Sequence, residues 1–194
     1  MRQQNKASEF CLSPEEVERL IDAARTARDR ALIACLYYAG LRRAEARALD
    51  AGDVDLPGGR LLVRRGKGEK ARVVPLHPEL SRLLGEVLSG RREGPVFAGE
   101  DGRRISLSTI NYVVAQAGRR AGLVNPNPRR RAINPHLLRH SFARHFLARG
   151  GDPRHLAQIL GHASIKTTLD VYGTPSEEEV RAAYHEIMLS LIHI

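Results

Sequence analysis

Cysteine is nearly missing from this 194-residue chain, with Cys11 and Cys35 its only two. Two thiols, one of them inside an apolar helical pattern, exclude a disulfide framework and read as reduced thiols of a cytoplasmic protein. No Cys-x-x-Cys or Cys/His pair has zinc-ligand spacing, so no metal is expected. Long apolar runs are also missing. The longest, Ala31 to Ala39, has nine residues, far short of the ~20 that span a bilayer. The first ten residues, MRQQNKASEF, carry no apolar stretch of signal-peptide type, so no membrane partner is expected. Acidic residues are the minority charge, 22 against 31 lysines and arginines. No acidic cluster of metal-ligand spacing accompanies the histidines, which argues against a metallonuclease.

What is present is arginine. The net charge is +9 and the pI about 10.2. Clusters stand at Arg42-Arg43, Arg64-Arg65, Arg103-Arg104, Arg119-Arg120 and Arg129 to Arg131. The planar guanidinium fork suits phosphate better than a lysine point charge. A polyanionic partner follows, most simply nucleic acid, which the family resemblance given below narrows to double-stranded DNA. With 42% hydrophobic residues the chain can build one good core.

Periodicity divides the chain into a mainly α fold with one small antiparallel β-sheet. Residues 1–11 read as a polar lead-in. Ser13-Pro14-Glu15-Glu16 is a capping box that opens a helix to about Ala27. Asp29 is expected to cap a second helix, apolar all round and therefore central, ended by Gly40. A short helix spans about Arg43 to Leu49. Three short β-type segments follow, Val54–Leu56, Arg60–Arg65 and Ala71–Leu76, separated by Pro57-Gly58-Gly59 and Gly66-Lys67-Gly68-Glu69. Helical patterns return at about 78–89, 106–121, 135–149, 153–160, 164–171 and 176–189. The last six residues, LSLIHI, break the preceding pattern and are assigned no function.

His136, Arg139, His162 and Tyr172 lie within 37 residues, and two further basic groups stand upstream, Arg42 in AGLRRAEARALD and Lys67 in RRGKGEKARVVPL. Together they offer a phenol to attack phosphorus, guanidiniums to hold phosphoryl oxygens, and imidazoles and an ammonium to move protons. His136 and Arg139 are three apart on one helical face, so both can reach one phosphate. These residues, in four ordered blocks from about Leu12 to Tyr172, resemble the catalytic set of the tyrosine recombinases, the phage integrase family.

The resemblance implies a catalytic domain over residues 12–175 and site-specific DNA recombination through a 3′-phosphotyrosyl intermediate, with no cofactor. It implies Tyr172 as nucleophile, Arg42 and Arg139 as the phosphate clamp, and His136 assisting proton transfer at the tyrosine hydroxyl. Lys67 would protonate the departing 5′ oxygen, with Lys70 as competitor, and His162 would hold a non-bridging oxygen. Glu45 resembles the family's acidic partner of Arg42, and His140 has a supporting, packing role. Relatives carry a separate DNA-clamping domain in front, which is expected to be absent here. The segment 176–194 is expected to dock on a neighbouring protomer, giving monomers in dilute solution and a tetramer on DNA. Two alternatives remain open. DPRHLAQILGHASIKTTLDVY also fits a non-enzymatic helix-turn-helix, and a type IB topoisomerase would share the nucleophile and clamp.

Overall fold

The computed structural model describes residues 10–64, 71–162 and 166–168. Helix α1 (Pro14–Asp22) opens on the expected capping box: Glu16 N–H donates to Ser13 Oγ at 3.2 Å, and Ser13 N–H to Glu16 Oε2 at 2.8 Å. It buries Val17, Leu20 and Ile21. Two expectations about its end are corrected. The helix stops at Asp22, not Ala27, because Thr26 is extended (φ −120°, ψ 155°) and starts the next helix. Thr26, not Asp29, caps α2 (Ala27–Tyr38), accepting from Asp29 N–H at 3.1 Å. The Asp29 carboxylate instead pairs with Arg28 at 2.8 Å.

Helix α2 is buried continuously from Ala31 to Tyr37 and packs on α1, α3 (Arg43–Ala48), α4 (Pro78–Leu88), α5 (Leu107–Arg120) and α6 (Pro135–Ala148). A helix with no polar face can only be central. Helix α3 (Arg43–Ala48) and a 3-10 turn at Ala51–Asp53 lead into the sheet. Strands β1 (Val54–Asp55), β2 (Arg60–Val63) and β3 (Arg72–Pro75) pair antiparallel in that order. Leu61 and Val63 of β2 and Val74 of β3 face the core, while Leu62 and Val73 face out. Arg72, opposite Val63 and two residues before Val74, therefore lies on the inward face.

Helices α4 (Pro78–Leu88), α5 (Leu107–Arg120), α6 (Pro135–Ala148) and α7 (Pro153–Leu160) begin and end within a residue of the expected spans. Asn134 and Asp152 cap the last two, each ahead of a first-turn proline. Of the helix expected at 164–171, Lys166 to Thr168 are described and are helical. The expected helix at 176–189 lies outside the described residues.

Two contacts lock α6 against the rest. Leu12, fully buried, donates its N–H to Ser141 Oγ at 2.9 Å, and that hydroxyl donates to Leu137 O at 2.8 Å. Gly40 ends α2 with φ +57°, and a Cβ there would stand 2.8 Å from Leu160 and 2.9 Å from Phe142. Both the left-handed backbone and the close approach of α6 and α7 require glycine.

Candidate active site

The turn after α2 sets the first side chain. Leu41 is fully buried, which turns the chain so that Arg42 emerges exposed at the start of α3. Glu45 reaches back one helical turn. Its Oε2 accepts from Arg42 N–H at 2.7 Å and its Oε1 from Arg42 Nη1 at 3.1 Å. The expected Arg42–Glu45 pair is therefore present, but it is the lesser part of Glu45's environment. Arg72 donates two hydrogen bonds to the same carboxylate, at 2.7 and 2.9 Å, and its Nε donates to Ile159 O at 2.6 Å.

On α6, Asn134 Oδ1 accepts from Leu137 N–H at 3.1 Å and fixes the first turn, from which His136 and Arg139 project one turn apart. Arg139 is 5% exposed. Its guanidinium donates to Gly40 O and, at 2.8 Å, to Leu160 O, so it gathers the carbonyl ends of α2 and α7. Its Nη1 also lies 3.8 Å from Glu45. After α7, Gly161 turns left-handed (φ 64°) and brings His162 back, with Nε2 3.3 Å from Arg139 Nη2 and Nδ1 2.8 Å from Thr168 Oγ1.

Arg42, Arg139, His136 and His162 thus line one open cavity of about 580 Å³, together with Arg43 and Arg130. Asn111 of α5 joins its wall. The charge balance is strongly positive. Burial alone would raise the Glu45 carboxyl, but hydrogen bonds from Arg72 and the Arg42 backbone, with the charges of Arg72 and Arg139, bring it down to about 2. Burial, then the charges of Arg139 and Arg130, hold the His136 imidazole below its ordinary value, so it is neutral near pH 7. His140 is buried one turn after His136 on α6, and both line a second, smaller cavity with Phe10.

Lys67, its competitor Lys70 and Tyr172 lie outside the described residues. The described flanks bound the first two: β2 ends at Val63 and β3 starts at Arg72. Sequence reasoning missed Arg72 and Asn111. The signal for Arg72 was an arginine on the apolar phase of a strand, where alternation puts a charge inside. Asn111 carried no comparable signal.

The sequence model of the phage integrase family matches residues 11–179. The chain belongs to the phage integrase family. Within it, the chain is 42% identical over 157 residues to tyrosine recombinase XerC of Nitrobacter winogradskyi, covering 78% of this chain and 47% of that protein. It is 37% identical over 185 residues to tyrosine recombinase XerA of Thermococcus kodakarensis, covering 92% and 62%. The chain spans about half the length of the curated relatives it matches. Among solved structures, the XerA recombinase crystal structure superposes with a TM-score of 0.77 at 34% identity, over 96% of this chain and 65% of that one. The XerH site-specific recombinase, bound to difH substrate in a pre-cleavage complex, gives 0.72 at 28% identity, over 91% and 54%. The mainly helical fold with a small antiparallel sheet is thus the fold of this family's recombinases.

Proposed function

We propose that this chain is the catalytic part of a site-specific recombinase that cuts and rejoins duplex DNA through a 3′-phosphotyrosyl link. The observation that carries the reading is the convergence of Arg42, His136, Arg139 and His162, from three separate segments, on one positive cavity. Similarity to recombinases over most of this chain supports it.

In the proposed step the Tyr172 phenol oxygen attacks the scissile phosphorus, and neutral His136 takes up the phenolic proton. Arg42 and Arg139, with His162, hold the non-bridging oxygens as charge builds there. The phosphorus–5′ oxygen bond breaks, and Lys67 protonates the departing oxygen. A 5′ hydroxyl from a partner strand reverses the step, so the link conserves the bond energy and no cofactor enters. Four protomers act together on DNA and the free chain is monomeric, with the segment 176–194 docking between neighbours.

Duplexes carrying a randomised site and a nick next to it test this. The nick releases the short 5′ fragment, so cleaved complexes accumulate as denaturant-resistant adducts. The chain forms such adducts and Tyr172→Phe forms none while still binding DNA. An adduct in Tyr172→Phe, or none with the native chain on any duplex, overturns the reading. A helix-turn-helix binder gives the second outcome, and relaxation of supercoils without strand exchange between site pairs marks a topoisomerase.

A further inference from the structure

Arg72 has no place in the scheme above, yet it is the group most closely bound to Glu45. Its side chain is 8% exposed and that of Glu45 10%. Arg72 does not line the cavity, whereas Arg42 and Arg139 do. All three guanidiniums share one carboxylate: Arg72 through two hydrogen bonds at 2.7 and 2.9 Å, Arg42 at 3.1 Å, and Arg139 at 3.8 Å. These separations rank the pairings. The buried carboxylate is matched by the arginine outside the cavity lining, and the guanidiniums of the two that line the cavity lie farther from it.

Among these described groups, three guanidiniums against one carboxylate leave a formal charge of +2. A phosphodiester attacked by a phenolate carries up to two negative charges before the leaving oxygen is protonated. Without Arg72 the same cluster would hold +1, and a buried unpaired carboxylate would draw Arg42 and Arg139 inward. We propose that Arg72 is a positioning residue, whose guanidinium neutralises Glu45 so that Arg42 and Arg139 direct their charge at a phosphate in the cavity. This rests on the recombinase reading for its biological meaning, while the charge balance bears on anion binding alone.

The third bond from Arg72 adds a geometric tie. Its Nε donates to Ile159 O in the last turn of α7, so one side chain joins β3, the Arg42 turn and the helix leading to His162. Merely structural loss of that tie and loss of charge balance are separable, because removing the Glu45 charge repairs only the second.

The test compares the native chain, Arg72→Met, Glu45→Gln and the double variant, each checked for a cooperative thermal transition. One readout is calorimetric titration with inorganic phosphate at pH 8, where the anion is a dianion. The other is adduct formation on a nicked duplex that the native chain cleaves. Arg72→Met weakens phosphate binding and slows cleavage by about tenfold or more, and adding Glu45→Gln restores most of both. The proposal is overturned if Arg72→Met stays within about twofold of native, or if the double variant is no better than the single one. Should Arg72→Met fail to fold, the double variant decides alone: phosphate affinity near native supports the charge balance, and its loss refutes it. If the native chain forms no adduct, the recombinase reading falls while the phosphate titration still decides the role of Arg72.

Discussion

His162 Nδ1 stands 2.8 Å from the hydroxyl of Thr168, on the side of the ring opposite Arg139. A guanidinium can only donate, so the Arg139 contact at 3.3 Å makes His162 Nε2 an acceptor. In the neutral ring the proton then sits on Nδ1 and is given to Thr168. To donate to a phosphate oxygen, Nε2 must carry a proton, and in the neutral ring Nδ1 then accepts. A hydroxyl serves in both directions. Thr168→Val keeps the shape of this fully buried side chain and removes that ability, so cleavage falls by about tenfold with a stability change of ~1 kcal/mol. Single-turnover cleavage checks the mechanism: a rate within about twofold of native in Thr168→Val defeats it.

Arg42 and Arg139 line the same cavity but are held differently, so their removal has different costs. Arg139, with a side chain 6% exposed, donates to two backbone carbonyls at helix ends. Arg139→Ala orphans those carbonyls and loses ~3 kcal/mol of stability or more. Arg42, 44% exposed, is largely solvated, and Arg42→Ala stays within ~1 kcal/mol of native. Both cut cleavage by about a hundredfold or more. Urea unfolding separates them, and equal melting of the two variants would contradict the assigned contacts.

Stability also depends on pH through α6. The Tyr37 hydroxyl lies 2.7 Å from His145 Nδ1. Burial pushes the phenol up to about 12, so it stays protonated and donates to a neutral ring. Burial first, then the charge of Arg149, lowers the His145 imidazole below its ordinary 6.5, against a smaller opposing effect from the Leu12 backbone. His136 is lowered in the same sense. Below about pH 6.5 the unfolded chain therefore binds protons that the folded chain refuses. Stability is full above that value and is lost as pH falls toward the folded-state values. Melting temperatures between pH 8 and 5 should drop on the acid side, with a shallower drop in His145→Gln. An identical slope in that variant would remove His145 from the account.

Lys67 is tested by the leaving group. Lys67→Ala is slow on ordinary DNA and recovers when sulfur replaces the bridging 5′ oxygen, because a thiolate departs without a proton. Rescue of Lys70→Ala instead would move the general acid three residues along.

Features set by neighbouring residues were legible from the sequence. The Ser13 capping box, the Asp152-Pro153 helix start and the Gly40 stop are local, so each shows in a few letters. Thr26 shows why others were missed. Alanines after Asp22 continue a helical pattern, and only the extended backbone of Thr26 reveals the break. His136 and Arg139 were legible as neighbours because their spacing within α6 is helical. Arg72 was not, since its partners Glu45 and Ile159 are 27 and 87 residues away and meet it only in the folded chain.

The link from Leu12 through Ser141 to Leu137 has a mechanical consequence. The chain enters the fold by hydrogen-bonding the helix that presents His136 and Arg139. A displacement of the backbone at Leu12 is passed to α6 through these two bonds. His145 adds a second strut, since it too engages the Leu12 backbone. The segment at Leu12 is therefore a lever whose short arm carries His136 and Arg139. Tension applied there would alter the angle at which α6 presents His136 and Arg139 to the cavity.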